Sequence, residues 1–289
     1  MARALRGLAF ALAAVGCHGP QRIVVGSKNF TESDLLGEIV AQQIERRTGL
    51  PVERRLHLGG SFVCHEAITS GAIDIYVEYT GTAFTAILKQ QPLTDPDSVL
   101  RYVRSEYSKR FAIDWVRPFG FNNTFAILVR HGDADRYGLK SIADLAPVAP
   151  RLKAGFGYEF LERADGFAGL SARYSLRFSQ PPTAMDLGLT YRALADGKVD
   201  VIAGNSTAGQ IAALDLVQLA DDRNYFPPYQ AAALVRRAVL EQYPALATAL
   251  AELGGRISDA EMRRLNALAD VEHKDIAVIA REWLAKQVP

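Results

Sequence analysis

Residues 52–88, VERRLHLGGSFVCHEAITSGAIDIYVEYTGTAFTAIL, switch repeatedly between two periods, and that rhythm decides the fold. Val52 to Leu56 is strand-like, Gly59-Gly60 is a turn, and Ser61 to Ser70 is helical. Ile73 to Val77 is a second strand, and Gly81 to Leu88 begins another helix. Strands alternating with helices at this spacing predict an α/β fold with a mainly parallel sheet and helices on its faces.

The same unit precedes this stretch. Arg22 to Gly26 is a short β-rich run and Ser27-Lys28-Asn29-Phe30 is a loop. A helix follows with Leu35, Leu36, Ile39, Val40 and Ile44 on one face. Thr31 with Asp34 three residues on predicts a capping-box variant, and Gly49 supplies the left-handed residue that ends the helix. Lys28 therefore stands just before a helix N-terminus.

Downstream, Phe121-Asn122-Asn123-Thr124 leads into the strand-like run Phe125 to Val129 and marks the start of a second lobe. The pattern resumes with Leu139 to Leu145, a loop around Pro147 and Pro150, a helical stretch near Tyr191 to Leu194 and a buried strand Val199 to Ala203. A helix opened by Ser206 or Thr207 follows, and the lobe closes near Asn224 to Pro228. From Ala238 to Leu284 the period is helical, with Leu246, Leu250, Leu253, Met262, Leu265, Leu268, Ile276 and Ile279 as core candidates. This division puts residues 17–122 and 224–289 in the first lobe and 123–223 in the second. Two crossings imply a hinge, and a cleft between lobes is a preferred place for a small ligand.

The first sixteen residues read as an export signal. Arg3 and Arg6 supply a basic start, Leu8 to Val15 is apolar, and Ala14-Val15-Gly16 precede Cys17 with small residues. This arrangement resembles the bacterial lipobox, although Ala14 stands where leucine is more usual. The resemblance implies a lipid on Cys17 and a chain at the periplasm or the outer face of the cell membrane. No later run approaches the roughly 20 apolar residues of a membrane span. Cys64 is the other cysteine, so with Cys17 lipidated no intrachain disulfide can form.

The 33 basic and 32 acidic residues leave a net charge of +1, which excludes a broad field suited to nucleic acid. Charge selectivity must be local. Cys64-His65-Glu66 is no metal motif, because neighbouring helical residues point in different directions. His18, His57, His131 and His273 are scattered, and no nucleophile-elbow or phosphate-loop motif appears. Nothing here argues for an enzyme or a cofactor.

Five strings in order carry a specific likeness: GSKNFTE at Gly26 to Glu32, LGG at Leu58 to Gly60, DIYVEYTGTA at Asp74 to Ala83, FNNTFA at Phe121 to Ala126 and FPPYQAA at Phe226 to Ala232. From about Arg22 to Leu284 the chain resembles the osmoprotectant-binding proteins of ABC importers, which take glycine betaine, choline, carnitine and related quaternary amines. The resemblance implies a two-lobed type II periplasmic-binding-protein fold with the ligand cleft between lobes joined by two crossing strands. It also implies a membrane permease and its ATPase as partners, and a monomer.

A trimethylammonium head donates no conventional N–H hydrogen bond, so aromatic faces and oxygen atoms must hold it. The family's aromatic box falls on Tyr79, Phe125, Asn205 and Tyr229, of which two are not tyrosine. Phe125 keeps a ring face. Asn205 removes a wall, which costs about 0.5–2 kcal/mol of cation–π attraction or brings a contact to a polar group that glycine betaine lacks; a helix N-cap is its other reading. The resemblance assigns the ligand's carboxylate to Lys28, Thr82 and Arg163, with Arg163 joining the lobes through a bidentate contact. It adds Asn123 to the cage lining. A different or larger betaine-like solute, or a solute-sensing role, is the alternative reading.

Overall fold

The computed structural model describes residues 22–287, so the expected signal segment and Cys17 lie outside the described residues. Among the described residues, ten strands form two five-stranded sheets. The first holds β1 (Ile23–Lys28), β2 (Val52–Gly59), β3 (Ile75–Tyr79), β4 (Ile113–Trp115) and β10 (Ala231–Arg236) in the order β2-β1-β3-β10-β4. The second holds β5 (Phe125–Arg130), β6 (Ala154–Gly157), β7 (Thr183–Met185), β8 (Val201–Asn205) and β9 (Leu216–Gln218) in the order β7-β6-β8-β5-β9.

Both sheets are mixed, which corrects the expectation of a mainly parallel sheet. β1 pairs in parallel with β2 and β3, but β10 inserts antiparallel between β3 and β4. In the second sheet β6 is parallel to β7 and β8, whereas β5 runs antiparallel to β8 and β9. The antiparallel strands arrive directly after the chain crosses between sheets, without the helical crossover that parallel pairing requires.

The crossings, residues 116–124 and 219–230, meet each other. Asn122 and Gln230 form an antiparallel bridge, the Asn123 N–H donates to the Tyr229 carbonyl at 3.1 Å, and the Tyr229 N–H donates to Asn122 Oδ1 at 2.6 Å. The segments that carry Asn123 and Tyr229 are thus tied together between the sheets.

Helix Thr31–Thr48 buries Leu35, Leu36, Ile39, Val40 and Ile44, and ends at Gly49 with φ 69°. The capping box does not form. Thr31 is already helical and Phe30 stands at the cap without a side-chain bond, while the Asp34 carboxylate accepts from the Ser27 hydroxyl and from the backbone N–H of His57. Asn205 likewise caps no helix: it ends β8, and the next helix is Gln210–Ala213 with Gly209 at its cap. The expected helix start at Ser206 or Thr207 is corrected accordingly.

The C-terminal helices, among them Asp259–Asp270 and Ile276–Gln287, bury Leu246, Leu250, Leu253, Met262, Leu265 and Ile279. Leu268 and Ile276 are partly buried against the same core. Helix Ile276–Gln287 packs on helix Thr31–Thr48. Helix Asp259–Asp270 lies so close to Gly209 that a Cβ there would stand 2.5 Å from the Ala267 Cα. Among the described residues, no helix is long and apolar enough to cross a membrane.

Candidate ligand site between the two sheets

A cavity of about 380 Å³ opens between the sheets, and Lys28, Tyr79, Thr82, Asn123, Phe125, Arg163, Asn205 and Tyr229 all line it. They come from the ends of β1, β3, β5 and β8, the crossings, and the C-terminal ends of the short helices Thr80–Thr82 and Tyr158–Glu162. Strand ends pointing at a shared crevice are where α/β folds place ligands.

The aromatic wall has a sequence cause. Phe125 pairs in register with Asn205 at the ends of β5 and β8, and its ring stands 5.7 Å from that of Tyr229 in an edge-to-face arrangement. A Cβ on Gly81 would come within 2.6 Å of the Tyr229 ring, so the glycine of YTGTA is what lets that ring settle. Gly204 does the same for Tyr191, whose hydroxyl a Cβ would approach to 2.5 Å and which accepts the Asn205 N–H at 2.7 Å. Position 205 is held by its backbone.

The cations of the site are already paired. Lys28 Nζ lies 2.6 Å from Glu78 Oε1, with the two side chains almost fully buried, and stands 4.5 Å from the centre of the Tyr79 ring. Arg163 gives Nε and Nη2 to Asp165 at 2.8 and 2.6 Å and Nη1 to the Thr82 hydroxyl at 3.2 Å. Its bidentate edge is therefore used within its own segment, and Thr82 receives the third donor across the cleft. Burial alone would raise the Asp165 carboxyl, but the bonds and charge of Arg163 and the Tyr229 hydroxyl outweigh it and hold the group below its ordinary range. The guanidinium sits 5.1 Å from the Phe125 ring centre and 5.9 Å from that of Tyr229.

A third carboxylate, Glu159, reaches from helix Tyr158–Glu162 to the N-terminus of helix Ser61–Ser70. It accepts from the Ser61 N–H at 2.5 Å and from the Ser61 hydroxyl at 3.2 Å. A Cβ at Gly60 would lie 2.0 Å from Glu159 Oε1, so only glycine allows this approach. The charged side chains lining the cavity are Lys28 and Arg163 against Glu159, Glu162 and Asp186, an excess of acid that suits a cation.

Behind the wall, Glu32 is fully buried and accepts four bonds: from Tyr79 Oη at 2.6 Å, Asn123 Nδ2 at 2.8 Å, Thr207 Oγ1 at 2.5 Å and Asn266 Nδ2 at 2.7 Å. Burial pushes its carboxyl above the ordinary range and the four donors pull it back, with burial prevailing. Because both amides turn their nitrogens to Glu32, both present their oxygens elsewhere. Oδ1 of Asn123 and Oδ1 of Asn266 have no hydrogen-bond partner among the described residues. Asn123 itself is among the residues that line the cavity.

Glu32, Glu78, Glu159 and Asp165 were not picked out from sequence. Glu32 and Glu78 stand inside two of the quoted strings, and an acid in the otherwise apolar run Ile75 to Tyr79 signals a buried charge that needs a partner. Cys64 and His65 behave as scaffold. Cys64 is buried with its Sγ on the Ser27 carbonyl, and burial pushes its thiol up to about 12. The His65 ring packs edge-on against Phe111. No group of three candidate metal ligands occurs among the described residues.

Residues 21–286 match the family described as the substrate binding domain of ABC-type glycine betaine transport system. The carnitine transport binding protein OpuCC of Listeria monocytogenes is 36% identical over 277 residues, covering 95% of this chain and 90% of that protein. The ergothioneine transport permease/ergothioneine binding protein EgtU of Helicobacter pylori is 33% identical over 265 residues, covering 91% of this chain and 47% of that protein. A solved structure, the crystal structure of a glycine betaine/carnitine/choline ABC transporter, superposes with a TM-score of 0.75 at 35% identity, covering 91% of this chain and 98% of that one. The two mixed sheets with their helices are the type II periplasmic-binding-protein fold, and these relatives are binding and transport proteins rather than enzymes.

Proposed function

The chain belongs to the substrate-binding family of ABC-type glycine betaine transport systems, and from that premise we propose that it captures a quaternary ammonium compound in the cavity between its sheets and delivers it to a membrane permease driven by an ATPase. The observation that carries this reading is the convergence of three aromatic residues, Tyr79, Phe125 and Tyr229, and of Asn123 on one cavity whose lining holds more acid than base. Ring faces and carbonyl oxygens are what a methylated cation can use.

Lys28 with Thr82 and Arg163 meets any carboxylate the ligand carries, each cation acting from within an existing ion pair. Residues 17–122 with 224–289 and residues 123–223 act as the two lobes, which close on the ligand. The lipid on Cys17 holds the chain at the outer face of the membrane, and fatty-acid labelling lost in Cys17→Ala tests that attachment.

The recognition chemistry is tested by calorimetric titration with choline and with 3,3-dimethylbutanol, which replaces the quaternary nitrogen by carbon at the same shape. Choline binding at least tenfold tighter is the expected result. Equal binding of the two would overturn recognition of the cation.

A further inference from the structure

The buried Glu32 carboxylate divides its bonds by oxygen. Oε1 accepts from the Tyr79 hydroxyl at 2.6 Å and from Asn123 Nδ2 at 2.8 Å, and both of these residues line the cavity. Oε2 accepts from the Thr207 hydroxyl at 2.5 Å and from Asn266 Nδ2 at 2.7 Å. Thr207 follows the end of β8 in the second sheet, and Asn266 belongs to helix Asp259–Asp270. One oxygen therefore serves the ligand site, and the other ties the second sheet to a C-terminal helix.

Tyr79 has more need of such a tether than the other two aromatic residues. Phe125 and Tyr229 brace each other edge-to-face at 5.7 Å, and Phe125 also meets Phe160 at 4.8 Å. Among the described residues the ring beside Tyr79 is that of Phe30, tilted and 6.2 Å away between centroids. Burial, and after it Glu32, push the Tyr79 phenol well above its ordinary range, so the hydroxyl stays protonated and donates.

Glutamine at position 32 would separate the two duties, because an amide offers an oxygen to one side and an NH2 to the other. Asn266 cannot reverse its own amide, since its Nδ2 also donates to the Thr207 carbonyl at 2.8 Å. The glutamine oxygen then stays on the Asn266 side, and its NH2 meets the Tyr79 hydroxyl donor.

We propose that Glu32 is a positioning residue for the ligand: through Oε1 it holds the Tyr79 ring in the orientation that the ligand's cation meets, and through Oε2 it links that orientation to the second sheet. The inference rests on the quaternary-ammonium reading of the cavity.

Calorimetric titration of Glu32→Gln, Tyr79→Phe and the double variant tests it, with whichever of choline and glycine betaine binds the wild-type chain more tightly. Glu32→Gln should bind at least about fivefold more weakly than wild type, the factor one hydrogen bond is worth. Tyr79→Phe keeps the ring, loses the tether and should weaken by a similar factor. The double variant should lie within about twofold of Tyr79→Phe, because both substitutions cut the same bond. A residue that only holds up the fold would weaken binding equally in either background, so independent losses that multiply in the double variant would overturn the inference. Wild-type affinity in Tyr79→Phe would overturn it as well, a result that can be read even if Glu32→Gln does not fold. Either outcome leaves the quaternary-ammonium reading standing, whereas failure of both probes to bind the wild-type chain would overturn that reading and this inference with it.

Discussion

The Glu159 carboxylate accepts a 2.5 Å hydrogen bond from the backbone N–H of Ser61, the first residue of helix Ser61–Ser70. An acid from the second-sheet side of the cleft thus occupies an anion-binding helix N-terminus on the first-sheet side. An anion at such a position gains about 0.3–1 kcal/mol, and Glu159 already holds it. In Glu159→Ala a ligand carboxylate can take its place, so the affinity for glycine betaine relative to choline should rise about two- to fivefold. The ratio cancels any general effect on cleft closure. An unchanged ratio in paired titrations would show that ligand carboxylates do not use this terminus.

Tyr229 contributes a ring to the cavity and a hydroxyl to Asp165. Tyr229→Ala should weaken a trimethylammonium ligand by about 2- to 30-fold, the loss of one cation–π partner. Tyr229→Phe keeps the ring and should retain most of the affinity. Cys64→Ser, at a buried packing position, should leave binding nearly unchanged. Equal losses in Tyr229→Ala and Cys64→Ser would sink the assignment of the ring to the site.

Lys28 and Glu78 form a buried pair. Glu78→Ala leaves a buried ammonium with the Ser61 hydroxyl but without its anion, and removing one partner of such a pair costs about 3–5 kcal/mol. The double substitution Lys28→Met with Glu78→Leu should recover most of that stability in urea unfolding. A Glu78→Ala midpoint equal to that of wild type would mean that the pair is open to water.

Glu32 titrates above its ordinary value of 4.5 in the folded chain because it is buried. The folded state therefore binds this proton more tightly than the unfolded one. The associated stability is complete below about pH 4.5 and is lost as pH rises through the folded pKa. The unfolding free energy of wild type minus that of Glu32→Gln should consequently fall as pH rises from about 4.5 toward neutrality. A difference that grows with pH would show that the four donors, not burial, govern the group.

Helices Thr31–Thr48 and Ser61–Ser70 and strand β5 were legible because their patterns are local: an apolar stripe, a terminal glycine, an apolar run after a turn. Failures arose where a distant residue decided the outcome. Asp34 bonds to His57 on the neighbouring strand rather than to its own helix start. β10 joins the first sheet antiparallel because of where the chain crosses back. The eight candidate residues came from a resemblance in motif order, and the structure gathers them around one cavity. Their counter-charges did not emerge, since Asp165 beside Arg163 and Glu159 on Ser61 depend on geometry that no spacing encodes.

The insertion of β10 between β3 and β4 also fixes an order of events. β3 and β4 have their shared neighbour only once residues 231–236 are available, after every strand of the second sheet. During vectorial emergence β3 keeps a bare edge and β4 has no partner strand until then, while the second sheet can complete itself. Such edges invite pairing with other chains, and late, long-range pairing slows folding. A chain cut before Ala231 should therefore fold its second half and aggregate through its first.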